Sequence, residues 1–292
     1  MHKKGLRTWI EVSKNALRKN YKLIRNLIDK KCLLMAVVKS NAYGHGLIDF
    51  SRLAEKFGVD WFGVDSIVEA LSLRENGIKK PILVLGYTLP EKFNDAVKNK
   101  ISLTISTFDG LKKLKKNPLK FHLKIDTGMH RQGFLLSDIL KIVKFLKTSG
   151  IPPKNLEGIY THFAAAKNAA FPKDTLEQIE KFKKATGIIE KAGFHPIKHA
   201  AATSSTILFP QAHFDLVRIG IGLYGLWPSK EIWSAFKNSI EFQPALSWKT
   251  IIGEIKNLPK GSRIGYDFTD TLQKSSKIAV CPLSALKTAL IF

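Results

Sequence analysis

Short apolar runs recur along this chain at intervals, and the stretches between them carry apolar residues at helical spacing. Eight such runs fall at 33–38, 61–64, 82–85, 102–105, 121–125, 156–160, 197–201 and 214–219. The stretches 47–57, 67–76 and 139–148 between them are amphipathic. Strand alternating with helix predicts a parallel sheet, and eight repeats predict a closed (β/α)8 TIM barrel. A helix through Leu17, Tyr21, Ile24 and Ile28 precedes the first run, with Ser13 as its N-cap.

The rhythm stops after Gly225. Beyond Gln243 the apolar runs are separated by Pro and Gly turns, which predicts the start of a separate β domain. Trp9-Ile-Glu-Val is a further strand candidate that could join it. The expected organisation is therefore an α/β chain of three stretches. Residues 1–12 give a strand joining the β domain, 13–235 the barrel, and 236–292 an incomplete β domain.

Composition narrows the class. Hydrophobic residues make up 45% and charged residues 24% of the 292 positions, as in an ordinary globular enzyme. No apolar run approaches membrane-spanning length, and the amino terminus has no signal-like apolar region. Cys32 and Cys281 alone make neither a disulfide framework nor a zinc site, so no metal is expected and a reducing cytoplasm suits the chain. The formal charge of +23 is compatible with nucleic-acid binding. Its lysines, however, are scattered along helix-like stretches such as 91–100 and 177–191, without a nucleic-acid-binding motif. A solvated basic surface that draws in small anions is the better reading.

The most informative string is Ala-Val-Val-Lys-Ser-Asn-Ala-Tyr-Gly-His-Gly at 36–46. A buried strand delivers Lys39 to a tight turn. Read alone, Lys39 is either a snorkelling strand-end lysine or a desolvated amine able to form a Schiff base with an aldehyde cofactor. In a barrel of this type, functional groups gather at the carboxyl ends of the strands. Lys39, the segment from Lys124 to Phe134, Thr161-His-Phe-Ala, Ala201-Ala-Thr-Ser-Ser and Val217-Arg-Ile-Gly-Ile-Gly all leave strands at that end. The last two suit an anion, with Thr203–Ser205 hydroxyls beside Gly220 and Gly222, although single glycines also serve only to permit turns.

From Trp9 to about Pro282 the chain resembles the alanine racemase family. The resemblance rests on the Lys39 string, Asp126-Thr-Gly-Met, Gly158-Ile-Tyr-Thr-His-Phe-Ala, Arg218 with Leu223-Tyr-Gly, and Gly265-Tyr-Asp-Phe. It implies that Lys39 carries pyridoxal phosphate as an internal aldimine and acts as one base. It implies Tyr43 beside the cofactor, and Ser204, Gly220 and Ile221 on its phosphate. Arg218 would face the pyridine nitrogen, held by His162, and Arg131 would lie near the substrate. Tyr266 would be the second base, supplied across a homodimer. The implied activity is interconversion of L- and D-alanine for peptidoglycan, with no nucleic-acid or membrane partner.

The chain departs from the family pattern at His130, Gln132, Thr203 and Ile219. After Cys281-Pro-Leu the family continues Gly-Tyr-Ala-Asp-Gly, whereas this chain reads Ser284-Ala-Leu-Lys-Thr-Ala-Leu-Ile-Phe. That is the expected signature of a truncated β domain. Two alternatives follow. One is a truncated relative that binds pyridoxal phosphate with little or no racemase activity. The other is a basic barrel that binds phosphorylated ligands or nucleic acid without catalysis.

Overall fold

The computed structural model describes residues 5–114, 118–167 and 170–282. The divergent tail from Ser284 to Phe292 lies outside the described residues. The chain forms two compact units, one spanning Lys14–Ala245 and the other Met1–Ser13 with Leu246–Phe292.

The larger unit is a closed barrel of eight parallel strands in sequential order. These are β2 (Leu33–Val37), β3 (Trp61–Val64), β4 (Ile82–Val84), β5 (Ser102–Ile105), β6 (Phe121–Lys124), β7 (Leu156–Tyr160), β8 (Ile197–His199) and β9 (Leu216–Ile219). Every apolar run of the sequence supplies one of them. The run 197–201 continues two residues past the end of β8, and Arg218 binds the carbonyls of both. The Ala200 carbonyl accepts from the Arg218 side chain at 2.8 Å, and the Ala201 carbonyl from its backbone N–H at 2.9 Å.

Helices cover the outside of the barrel, so its strands are buried on both faces. One part of the interior is apolar, built from Met35, Trp61, Leu83 and Leu216. Another part is polar: His122, Lys124, Tyr160, His199 and Arg218 are all buried. The segment after the last barrel strand packs back onto this unit. The Asn20 amide donates to the carbonyls of Leu223 and Gln243 and accepts from the Gln243 N–H at 2.8 Å. Gly225, at φ +84°, lies so close to Gln243 that a Cβ there would sit 1.9 Å from its carbonyl oxygen.

In the smaller unit, β1 (Thr8–Val12) pairs antiparallel with β10 (Leu246–Thr250), placing Trp9 opposite Lys249. Two further antiparallel pairs join β11 (Glu254–Leu258) to β14 (Ser276–Val280), and β12 (Arg263–Ile264) to β13 (Asp270–Thr271). Among the described residues, no helix is long and apolar enough to cross a membrane.

Candidate active site

The turn after β2 explains why its sequence is so particular. Ser40, Asn41, Ala42 and Tyr43 all hold φ between +51° and +55°. Left-handed backbone costs non-glycine residues roughly 1–2 kcal/mol each, so the surroundings must enforce it. Glu69 does part of this, accepting from the Ser40 N–H at 2.7 Å. The same carboxylate caps its own helix, Ile67–Glu75, through the Asp65 and Ser66 N–H groups. Asn41 Oδ1 accepts from the Leu47 N–H at 2.8 Å and so starts the next helix, Leu47–Phe57. Gly44 and Gly46 complete the turn at φ +84° and +91°.

The result places Lys39 at the mouth of the barrel, its Nζ 3.6 Å from Asp65 Oδ1. The Lys39 side chain is 39% exposed, so a ligand can reach it. Tyr43 turns inward against Tyr224, with ring centroids 5.0 Å apart, and burial pushes its hydroxyl pKa up. Tyr224 is anchored by its own hydroxyl, which donates to the Val37 carbonyl at 2.9 Å.

The loop after β6 is folded by Asp126. Its Oδ1 accepts from the N–H groups of Gly128, Met129 and His130 at 2.9–3.0 Å. Burial opposes ionisation of this carboxyl, but those donors outweigh it and hold its pKa below the usual range. Gly133, at φ +136°, lies against the Asp126 N–H, where a Cβ would come within 2.6 Å. This loop presents Arg131 and Gln132 to the cavity. Gln132 Oε1 accepts from Lys124 Nζ at 3.0 Å while its amide donates to Ser106 at 3.2 Å.

Arg218 sits deeper, on β9, and is almost fully buried. Nη1 meets His199 Nδ1 at 2.9 Å. Nη2 donates to the Thr161 carbonyl at 2.7 Å and lies 3.3 Å from His162 Nδ1. Its carbon stands over the Tyr160 ring at 5.1 Å. Burial lowers its pKa to about 10, which leaves it charged at neutral pH. Burial lowers His162 further, to about 3, assisted by Arg218, Arg131, Lys124 and Lys39, so this imidazole is neutral.

Ser204 lies at the start of the helix Thr203–Leu208, close to the turn that follows β9. Gly220 approaches Tyr43 so closely that a Cβ would lie 3.1 Å from its hydroxyl. Lys39, Tyr43, Arg131, His162, Ser204, Arg218, Gly220 and Ile221 therefore line one cavity of about 640 Å³. Its donor set is the amines of Lys39, Lys124 and Lys167, two guanidinium groups, hydroxyls and a glycine turn, with Asp65 the one carboxylate in the wall among the described residues. That set fits a phosphorylated aldehyde, since the cations and turn suit the phosphate and an amine suits the carbonyl carbon. Tyr266 belongs to the smaller unit, where it is 96% exposed.

Two residues of the cavity region, His199 and Asp65, were not singled out by sequence, and Lys124 was noted only as the start of the polar segment 124–134. Lys124 ends β6 as Lys39 follows β2, a signal that the string Phe-His-Leu-Lys does carry. Burial, Arg131 and Arg218 lower its pKa to about 8, against a smaller opposing effect of Asp126. His199 and Asp65 carried no comparable signal, because single polar residues at strand ends are common.

Comparison with known proteins follows the same lines. Residues 12–228 match the family model described as alanine racemase, N-terminal domain. The chain is 39% identical over 284 residues to an alanine racemase of Methanococcus maripaludis, covering 94% of this chain and 74% of the relative. It is 39% identical to one of Leptospira interrogans, with 94% and 72% covered. Among solved structures, an alanine racemase of Clostridium difficile superposes with a TM-score of 0.85 at 35% identity, covering 95% of this chain and 73% of that one. A Bacillus anthracis alanine racemase with bound L-Ala-P gives a TM-score of 0.84 at 32% identity, with 95% and 72% covered.

Proposed function

The chain belongs to the alanine racemase family, and from that premise we propose that it interconverts L- and D-alanine with pyridoxal phosphate. The observation that carries the reading is the convergence of Lys39, Arg131 and Arg218 with Tyr43, Ser204 and Gly220 in one cavity at the carboxyl ends of the barrel strands. Pyridoxal phosphate, when bound, supplies the electron sink that makes a Cα–H bond acidic.

The protein's residues do the rest. Lys39 holds the cofactor and moves a proton at its Nζ on one face of the substrate. Tyr266, from a second copy of the chain, moves a proton at its hydroxyl on the other face. Two opposed groups are the economical solution, because inversion removes a proton from one side and returns one to the other. Arg131 draws in the substrate carboxylate. Arg218 keeps its proton at neutral pH, so it would offer a pyridine nitrogen only a hydrogen bond and would disfavour transamination. His162, neutral, accepts from Arg218 and keeps it in place. Ser204 with the Gly220 and Ile221 turn holds the phosphate. The product serves peptidoglycan synthesis, and the working form is a homodimer.

The test is a racemisation assay with added pyridoxal phosphate, reading loss of optical activity from L-alanine. Interconversion that requires the cofactor is expected. Cofactor bound at Lys39 with no interconversion of either enantiomer would replace this reading with that of a cofactor-binding relative.

A further inference from the structure

The polar part of the barrel interior does not end at Arg218. It runs on as a row through the barrel to the opposite, amino-terminal end of the strands. Arg218 Nη1 lies 2.9 Å from His199 Nδ1, and His199 Nε2 lies 2.8 Å from His122 Nδ1. His122 Nε2 then faces Glu157 Oε2 at 3.6 Å, longer than a hydrogen bond. Both imidazoles are fully buried and Arg218 is 4% exposed, while the Glu157 side chain is 15% exposed. Glu157 borders a separate cavity of about 790 Å³, where Ser102 Oγ and Lys120 Nζ also bind its carboxylate.

The ends of the row dictate every proton within it. Arginine has no acceptor, so Arg218 must donate to His199 Nδ1. Burial lowers the pKa of His199 far below its usual value, with Arg218 and His122 adding to the effect, and lowers that of His122 as well. Both rings are therefore neutral at pH 7. A neutral imidazole that accepts at Nδ1 carries its proton on Nε2. His199 Nε2–H accordingly donates to His122 Nδ1, which puts the His122 proton on Nε2, aimed at Glu157. His122 Nε2 has no hydrogen-bond partner closer than this carboxylate.

Arg218 is a buried cation, and none of the ion pairs among the described residues involves it. Such a charge is costly unless oriented dipoles compensate it. Two imidazoles aligned in series present their lone-pair ends toward Arg218. A carboxylate at the far end holds them in that sense. Burial opposes its ionisation, but His122, Lys120 and Ser102 outweigh this and hold the Glu157 carboxyl at about 2.

We propose that Glu157 is a positioning residue, acting through His122 and His199 to fix the tautomer that makes His199 an acceptor for Arg218. Its kinetic consequence rests on the racemase reading, whereas the tautomer assignment does not. Without the carboxylate, His122 is free to carry its proton on Nδ1. The row is then held from the Arg218 end alone, the His122 Nε2–H is left without an acceptor, and tautomers that set a His199 N–H against an Arg218 N–H become populated.

The test is ¹⁵N NMR of histidine-labelled full chain at neutral pH, alongside steady-state kinetics with pyridoxal phosphate. The wild type should show His122 and His199 protonated at Nε2 and bare at Nδ1. Glu157→Leu should mix or reverse that pattern and lower kcat by about ten- to a hundredfold, with little change in KM for alanine. Glu157→Gln, whose carbonyl oxygen still accepts, should keep the wild-type pattern and lose less. An Nδ1–H or an imidazolium on either ring in the wild type would overturn the proposal. So would unchanged tautomers in Glu157→Leu. Should the leucine variant not fold, the wild-type and glutamine spectra still decide. Wild-type tautomers as expected, without racemisation, would support the row and sink the racemase reading instead.

Discussion

The two units of this chain solve the problem of exposed strand surface in opposite ways. In the barrel unit, strands β3, β4, β5, β6 and β9 are buried along their whole length. In the smaller unit, β10, β11 and β14 are exposed at most positions, and Trp248, Ile255 and Tyr266 stand at the surface. A closed sheet covered by helices leaves no edge and excludes water, so it can hold buried cations such as Arg218 and Lys124 in fixed geometry. A two-stranded pair has too little surface to bury a face of its own. The barrel is thus built to hold a site. Among the described residues, the smaller unit leaves most positions of those strands open to solvent.

The sharpest way to break that comparison is at Lys39. If the barrel holds the cofactor, borohydride reduction with pyridoxal phosphate should place the pyridoxyl group on Lys39, as read by peptide mass spectrometry. Lys39→Ala should abolish that adduct and cost activity on the order of ten-thousandfold or more, since attachment and one base are lost together. An adduct on any other lysine would move the site.

Tyr266→Phe sharpens the contrast from the other side. Its side chain is almost wholly exposed, so neither folding nor cofactor attachment should change. Loss of one positioned base should nonetheless slow catalysis by roughly a hundred- to ten-thousandfold. Overall racemisation must obey the equilibrium between enantiomers, so isotope exchange at Cα is the informative measurement. Exchange from L-alanine should suffer more directly than from D-alanine. Equal rates in variant and wild type would make Tyr266 a surface residue and nothing more.

Much of this was legible beforehand, for reasons that differ between residues. The eight barrel strands showed as short, largely apolar runs because both of their faces are covered. Lys39 showed because a lone cation ends such a run. Arg131, His162 and Arg218 were assigned through family resemblance, and the cavity brings them together. The left-handed turn at Ser40–Tyr43 was not legible. It is held in part by Glu69, which lies a helix and a strand away in sequence. The row from Arg218 to Glu157 was equally hidden. His122, Glu157 and His199 are ordinary strand residues until barrel closure stacks them, and no local pattern records that closure.

Lys124 offers a smaller effect inside the barrel, read in stability rather than activity. Its pKa falls from 10.5 to about 8, chiefly by burial and then by Arg131 and Arg218. The native state therefore binds fewer protons than the unfolded chain between those two values, so stability rises with pH across that window. Below it, folding carries the full cost of a buried ammonium held by a carboxamide. Lys124→Met should remove that cost, stabilising the protein by about 1–3 kcal/mol at pH 7. The gain should shrink above pH 8 and vanish near pH 10.5. Urea denaturation at three pH values checks it, and a gain independent of pH would assign the effect to packing.

Glu11 in the smaller unit is the counterpart and should do almost nothing. Its carboxylate accepts from Trp9 Nε1 at 2.7 Å and pairs with Lys249 at 2.6 Å, tying β1 to β10. Those two hydrogen bonds lower its pKa against a small opposing effect of burial. The ion pair is nonetheless solvated, and solvated pairs gain little because water and salt screen them while two side chains lose freedom. Glu11→Gln keeps an acceptor for Trp9 and should leave the urea midpoint unresolved from wild type, at low salt and at high salt alike. A carboxylate on a pair of exposed strands is therefore worth little, whereas Glu157, at the end of a buried row, is proposed to control its neighbours. A clear loss of stability in Glu11→Gln would mean that the smaller unit has a dry interior of its own, and the contrast between the two units would fall with it.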